Sequence, residues 1–209
     1  MFSNIQTSDI ITILASLLAS LVIHEAMHAY TAHRLGDYTA HEEGRLTLNP
    51  AKHLDLYTSI LLPMMLLLLH LPPIFIAKPV PFNPHNVRFE EFGVALIGLA
   101  GPFTNLILAV LGSIFLHVAG IGLGTDAAHM VLIFMQVNVA LFVFNMIPFP
   151  PLDGSRLLYA FAPDPVRRVM ETIEGAGFIG LIVFILVLIP LVGPIIANIT
   201  TGIMHLLLR

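Results

Sequence analysis

The chain has 209 residues, of which 57% are hydrophobic and 11% are charged, and its formal net charge is −4. Soluble domains contain about 25% charged residues, so this composition excludes an ordinary soluble protein and predicts a membrane protein. Its few Lys and Arg residues form no cluster that would bind nucleic acid, and the absence of cysteine excludes disulfides, a cysteine zinc site and a thiol nucleophile.

The first predicted element is a membrane-spanning helix from about Asp9 to Arg34, long enough to cross a bilayer with some tilt. Near its C-terminal end lies HEAMH, in which His24 and His28 are four residues apart and leave the same helix face. In the H-E-x-x-H pattern the histidines bind zinc and the glutamate, here Glu25, is the general base. Because polar groups are costly inside a membrane helix, a functional site is favoured over two unrelated histidines.

A polar segment, Gly36–Asp55, follows this helix. Its RLTL stretch alternates polar and apolar residues before Asn49 and Pro50, which predicts a short strand or β-hairpin. His33 and His41 are further candidate ligands, but His33 faces away from the HEAMH histidines and His41 lies in the loop. We expect both to lie at the membrane interface rather than at the metal.

The next apolar stretch, Leu56–Leu71, has only about 16 residues and contains a proline, so a short tilted span and a re-entrant segment both fit. Lys78–Pro84 is rich in proline, which cannot serve a central strand, and predicts an extended edge or loop. Phe92–Val118 is the second long span. Its GPFTN sequence contains Gly101, a small residue that allows close approach, and Asn105, a polar group that needs a partner.

Met130–Ile147 is the third long span and contains two asparagines, Asn138 and Asn145. It runs into NMIPFPPLDG, whose prolines stop a regular helix, and a new helix is predicted to start just after. Pro163–Gly177 has apolar residues at helical spacing and predicts a short amphipathic helix. Phe178–Leu208 is apolar but contains prolines, so one kinked span or two short spans fit.

The positions of Lys and Arg favour one topology. If Leu56–Leu71 does not cross the membrane, the first eight of the nine Lys and Arg residues lie on one side of it. Met1–Ser8 and Gly120–Ala128, which contain no Lys or Arg, lie on the other side. The positive-inside rule favours this arrangement, which puts the HEAMH end of the first span and Asp153 near the cytoplasmic face. Since no Lys or Arg precedes the first span, we expect no cleaved signal peptide. The nine residues are Arg34, Arg45, Lys52, Lys78, Arg88, Arg156, Arg167, Arg168 and Arg209.

Two histidines leave a catalytic zinc one protein ligand short. Arg34 occupies the place of the third histidine of the H-E-x-x-H-x-x-G-x-x-H pattern, so a carboxylate is needed instead. Asp153 follows a proline-rich break at the end of a span, where non-helical backbone can line a cavity. The residues alone leave a simple Asp-Gly turn equally open. The other candidates are Asp37, Glu42, Glu43, Asp55, Glu90 and Glu91.

HEAMH in one span, GPFTN in another and the sequence from Asn145 to Gly154 in a third resemble the site-2 protease family of intramembrane zinc metalloproteases. The chain resembles the compact bacterial members, which lack PDZ and CBS domains. The resemblance implies one zinc ion per chain, Glu25 as catalytic acid and base, and contacts of Asn145 and Asn105 with substrate or oxyanion. The zinc ligands that it implies are His24, His28 and Asp153.

The predicted fold is an all-α polytopic membrane protein, a bundle of about four to six transmembrane helices with a re-entrant or short segment and small β-hairpin or extended pieces near the cytoplasmic face. We expect one membrane-embedded domain over residues 1–209, with its catalytic core at about 10–160 and a C-terminal helical segment at 178–208. The predicted location is the bacterial cytoplasmic (inner) membrane.

The predicted activity is hydrolysis of peptide bonds in or next to transmembrane helices. A transmembrane substrate and the bilayer are the expected partners, without nucleic acid, and the oligomeric state is open. A metal-ion transporter or sensor is the alternative, although such transporters are expected to have internal repeats, and we find none. An inactive scaffold is a further alternative, which the intact HEAMH and Asp153 disfavour.

Overall fold

The computed structural model describes residues 6–61, 65, 77–177, 180, 184, 187 and 189–209. In this part of the chain the regular secondary structure is helical, without strands. Four helices are long and apolar enough to cross a membrane, which confirms the predicted polytopic bundle. They are α1 (Thr7–Arg34), α4 (Glu90–Val118), α5 (Asp126–Asn145) and α8 (Ile189–Leu207). The shorter helices are α2 (Thr39–Glu42), α3 (Pro50–His53), α6 (Gly154–Phe161) and α7 (Asp164–Gly175).

The first three long helices match the predicted spans closely. α5 starts four residues before the predicted Met130 because Thr125 caps it, its side chain accepting a hydrogen bond from the Ala128 N–H at 3.2 Å. Leu56–Leu61 forms a single π-helical turn. Most of the rest of Leu56–Leu71 and the first part of Phe178–Leu208 lie outside the described residues. The predictions on how these two segments cross the membrane therefore also fall outside the described part of the chain.

Contacts at both ends of the bundle fix the directions of the long helices. The N–H of Arg88 donates to the carbonyl of Leu35 at 2.8 Å, so α4 starts on the side where α1 ends. On the other side, Nε2 of His129 in α5 lies 2.9 Å from Oδ1 of Asp9 in α1. The end of α1 and the start of α4 therefore lie on the same side of the bundle.

The predicted β-hairpin in Gly36–Asn49 is wrong, because this stretch forms α2 and a turn, followed by a bend without strand pairing. The extended chain beside it contains Pro79 and Pro81, which lack the N–H groups that a strand ladder needs. The side chain of Arg45 makes the connection instead. It donates to the carbonyls of Lys78 at 2.6 Å and Pro79 at 3.2 Å.

Helix α4 is central and packs against α1, α5 and α6. On its inner side Ala109 packs against Val139 of α5, with Ile203 of α8 against this cluster. On its outer side large apolar residues such as Ile107 and Leu111 are exposed, as suits helices that face lipid. The polar residues His24, His28, Asn105 and Asn138 are buried inside the bundle, on α1, α4 and α5.

Candidate metal centre

Helix α1 carries His24 and His28 on its buried side, only 3% and 7% exposed. Their Nε2 atoms lie 3.0 Å apart, and Oδ2 of Asp153 lies 3.0 Å from the first and 3.4 Å from the second. A tetrahedral zinc ion with ligand distances of about 2.0–2.1 Å separates its ligand atoms by about 3.3 Å. The spacing of these three atoms therefore fits a zinc ion.

Asp153 reaches the histidines because the chain turns sharply after α5. Gly154 makes this turn possible, since a Cβ there would lie 2.5 Å from the carbonyl oxygen of Met146. Burial opposes ionisation of Asp153, but the imidazoles of His28 and His24 stabilise its carboxylate and hold its pKa well below the usual range. The ionised form is the one that binds a metal.

Both histidines are held from behind through Nδ1. Nδ1 of His28 lies 2.6 Å from the carbonyl oxygen of Ile97, and Nδ1 of His24 lies 2.6 Å from Oδ1 of Asn105. Such partners fix the ring orientation of metal-ligating histidines. Asn105 is fully buried behind His24 and does not line the cavity in front of it, so its position differs from the predicted contact with substrate.

Gly101 leaves room next to the ligand atoms. A Cβ at this position would overlap Nε2 of His28 and lie 2.5 Å from Nε2 of His24. Within the described residues, His24, His28 and Asp153 are the group of His, Cys, Asp or Glu that could hold a metal ion, and His33 and His41 are not part of it. The donor set and the open space beside it both fit zinc.

A cavity of about 310 Å³ opens onto these three side chains. Glu25 and Asn145 both line it, so the predicted general base and the predicted substrate- or oxyanion-binding residue share one space with the ligand cluster. The amide of Asn145 donates to the carbonyl of Leu141 at 3.0 Å. The apolar lining includes Leu21, Ile97, Leu141, Phe144 and Phe184. An apolar lining of this kind suits a site from which bulk water is excluded.

The extended segment 79–82 lies along the cavity and is held at both ends by buried charged groups. Arg45 binds the carbonyls at one end, and at the other the N–H of Asn83 donates to Oδ2 of Asp37 at 2.9 Å. Burial opposes ionisation of Asp37, but the Thr39 hydroxyl and the Asn83 N–H lower its pKa below the usual value. The segment therefore has a fixed course past the ligand cluster.

The structure adds Arg156 to the cavity, a residue that the sequence analysis did not select. Its guanidinium pairs with Glu174 of α7 at 2.5 Å, and the Tyr159 hydroxyl donates to the same carboxylate at 3.2 Å. Burial and the negative charge of Glu174 raise the pKa of Tyr159 to about 12. The only feature of the sequence that indicates a role for Arg156 is its positive charge one helical turn after Asp153.

Relatives of the chain are known. It is 37% identical over 171 residues to "Putative zinc metalloprotease YwhC" of Bacillus subtilis, an alignment that covers 78% of the chain and 75% of that protein. It is 34% identical over 188 residues to "Putative zinc metalloprotease Rip2" of Mycolicibacterium smegmatis, which covers 86% of the chain and 68% of that protein. The chain belongs to the site-2 protease family.

A third relative, "Putative zinc metalloprotease Rip2" of Mycobacterium tuberculosis, is 31% identical over 184 residues, covering 84% of the chain and 67% of that protein. No family model matches the chain, and no solved structure matches it. The resemblance drawn from HEAMH, GPFTN and LDG is thus confirmed. The predicted zinc cofactor agrees with the names of these metalloproteases and with the three-residue cluster.

Proposed function

We propose that this chain is an intramembrane zinc metalloprotease that hydrolyses peptide bonds in or next to the transmembrane helices of membrane proteins. One observation carries the proposal: the His24, His28 and Asp153 cluster and Glu25 face one cavity inside a bundle of membrane-spanning helices. The histidines lie six and ten residues before Arg34, the end of α1, which is about 9–15 Å along the helix. The reaction would therefore take place below one membrane surface.

His24, His28 and Asp153 would hold the zinc ion and leave one coordination position open, as catalytic zinc sites do. When bound, zinc lowers the pKa of its water towards about 7 and polarises a carbonyl group. The ion would lie beside Gly101, where the α4 backbone has no side chain to block it. Three sections of the chain, α1, α4 and the turn before α6, thus make the site together.

Glu25 would act as general base and then general acid. It takes a proton from the attacking water and delivers it to the amine that leaves when the peptide C–N bond breaks. Asn145 lines the same cavity, and one N–H of its amide donates to the Leu141 carbonyl. Its second N–H can donate to the oxygen of the carbonyl under attack, which stabilises the negative charge that develops there.

A substrate segment must be extended for its carbonyl to become accessible, since helix carbonyls are hydrogen-bonded. The segment 79–82 offers an edge for this purpose. Among the described residues, the backbone N–H and C=O of Val80 have no hydrogen-bond partner, and Val80 lines the cavity. An extended substrate can pair with such an edge by strand addition. Arg45 and Asp37 would keep the edge in place for that pairing.

The bilayer of a bacterial cytoplasmic (inner) membrane is the proposed location, with the site nearer the cytoplasm. Eight of the nine Lys and Arg residues lie in segments on the side where α1 ends, and Arg209 is the exception. The positive-inside rule makes that side cytoplasmic. The expected partner in the membrane is a protein with a transmembrane helix that can enter the bundle.

The experiment is to reconstitute the chain in proteoliposomes with single-span membrane proteins and to identify fragments by mass spectrometry. Glu25→Gln keeps the shape of the side chain but cannot take a proton, so zinc should stay bound while cleavage falls about 10²–10⁴-fold. Glu42→Gln, on the exposed short helix α2, is the matched control and should cleave like the wild type.

Cleavage by zinc-loaded Glu25→Gln at the wild-type rate would contradict the role of Glu25. Zinc uptake into the vesicles without any cleavage of a membrane protein would contradict the proposed protease and favour the transporter.

A further inference from the structure

Behind the metal centre, a chain of side-chain amides connects His24 to helix α5. Oδ1 of Asn105 lies 2.6 Å from Nδ1 of His24, and Nδ2 of Asn105 donates to Oδ1 of Asn138 at 3.0 Å. Nδ2 of Asn138 in turn donates to the backbone carbonyl of Phe134 at 2.9 Å. Both asparagines are fully buried, with no exposed surface. This amide relay therefore runs from α5 through α4 to α1 without contact with water.

The Phe134 carbonyl gives the amide relay a fixed direction. A carbonyl oxygen can only accept, so Asn138 must present its NH₂ group to it and its oxygen to Asn105. Asn105 must then present its NH₂ group to Asn138 and its oxygen to His24. Its NH₂ group also points at the Ser20 carbonyl at 3.5 Å, a long contact of the same sense. As a result, Nδ1 of His24 carries a hydrogen and Nε2 is the nitrogen left for a metal.

We propose that Asn138 is a positioning residue of the zinc site, which fixes the amide of Asn105 so that His24 keeps its proton on Nδ1. The inference rests on the proposed binding of zinc and is independent of the substrate. Without Asn138, the Asn105 amide can turn over and offer its NH₂ group to Nδ1. His24 would then have to hold its proton on Nε2, in competition with the metal.

A purely structural role predicts something different. Two buried amides between α4 and α5 also join these helices, and loss of such a bond destabilises any bundle. Loss of that bond alone would lower the melting temperature and leave the zinc affinity of the folded protein unchanged. The positioning role depends on the fact that an amide has two unlike ends. A carboxylate has two like ends, needs no orientation, and is itself a common partner of zinc-bound histidine.

The test is the zinc affinity of purified protein, measured by competition with a chelator, for Asn138→Ala in two backgrounds. In the native background the affinity should fall about tenfold, the lower end of the range for groups behind a metal ligand. In the Asn105→Asp background the same change should cost less than about threefold. Asn138→Ser is a milder second variant, because its hydroxyl can bond to the Phe134 carbonyl but is too short to reach Asn105.

Ser113→Ala is the matched control. It removes another buried hydrogen bond of α4, from Ser113 to the carbonyl of Leu207, two helical turns beyond Asn105. Zinc affinity should stay within about twofold of the wild type, while the melting temperature falls. The visible absorption spectrum of the cobalt-substituted protein gives a second readout, which should change with Asn138→Ala and not with Ser113→Ala.

Wild-type zinc affinity in both Asn138 variants would overturn the inference. An equal loss in the native and Asn105→Asp backgrounds would also overturn it, because Asn138 would then act through packing alone. Neither result would touch the proposed protease. That proposal fails separately if the wild-type protein itself does not bind zinc.

Discussion

Gly101 is the residue whose substitution should affect the metal centre most directly without removal of a ligand. In Gly101→Ala the new Cβ would overlap Nε2 of His28, lie 2.5 Å from Nε2 of His24, and lie 2.6 Å from Cε1 of the same ring. The rings cannot simply move away. Their Nδ1 atoms are held at 2.6 Å by Ile97 and Asn105.

The size of the effect follows from the cost of overpacking. Added methyl groups in packed interiors cost about 1–3 kcal/mol. At about 1.4 kcal/mol per factor of ten, zinc binding should weaken by about 5- to 150-fold. Alanine also favours the helix by up to about 1 kcal/mol over glycine, which offsets part of this cost in the metal-free fold.

Gly112→Ala is the control on the same helix. Its Cβ would lie 2.7 Å from Cγ of Met135, a flexible side chain that can move, and far from the ligand cluster along α4. Chelator competition on the two variants and the wild type measures the difference. Zinc binding by Gly101→Ala as tight as that of the wild type would contradict the proposed zinc site.

Three further predictions concern the rest of the chain. The pKa of Asp37 is lower in the folded chain than the value of about 3.9 in the unfolded chain, so its carboxylate stabilises the fold above that unfolded pKa. This contribution to stability disappears as the pH falls through the lowered pKa of the folded state. Asp37→Asn should therefore lose less melting temperature than the wild type between about pH 6 and pH 3, and an identical loss would contradict this. Arg45→Ala frees two carbonyls of the cavity edge and should lower kcat/KM about tenfold or more with zinc retained. Lys52→Ala, which removes an exposed cation of α3, should leave kcat/KM unchanged. Equal kinetics in the two variants would refute the role of segment 79–82 as a substrate-binding edge. Single cysteines at positions 43, 85 and 167 should label from the cytoplasmic side and one at 124 from the opposite side. Opposite labelling of 43 and 85 would overturn the topology.

The sequence predicted those features that depend on periodicity and charge. Three membrane-spanning helices were predicted from apolar length, and the position of His28 one turn after His24 follows from helix geometry. The one-sided Lys and Arg predict that the end of α1 and the start of α4 share one side. The residues alone do not decide whether Asp153 is a ligand or part of a turn. The course of a proline-rich break depends on contacts such as that of Gly154 with Met146, which no local pattern encodes.

Other features could not be predicted because they depend on which elements pack together. The RLTL alternation in Gly36–Asn49 resembles a strand, but its neighbour has prolines where a ladder needs N–H groups. From the sequence alone, Asn138 is only a polar residue in a membrane span. Its link to His24 through Asn105 becomes apparent only when α4 lies between α1 and α5. The small residue Gly101 predicts close approach of another helix backbone, but the groups that lie next to it are the imidazole rings of His24 and His28.

Metal analysis of purified variants tests the proposed zinc site of His24, His28 and Asp153 most directly. The wild type and Glu43→Ala, which alters an exposed residue after α2, should each carry one zinc ion per chain. Asp153→Ala and His24→Ala should lose most of their zinc, because each variant keeps only two of the three protein ligands that a catalytic zinc ion needs. Full zinc in Asp153→Ala together with loss in Glu43→Ala would contradict the site.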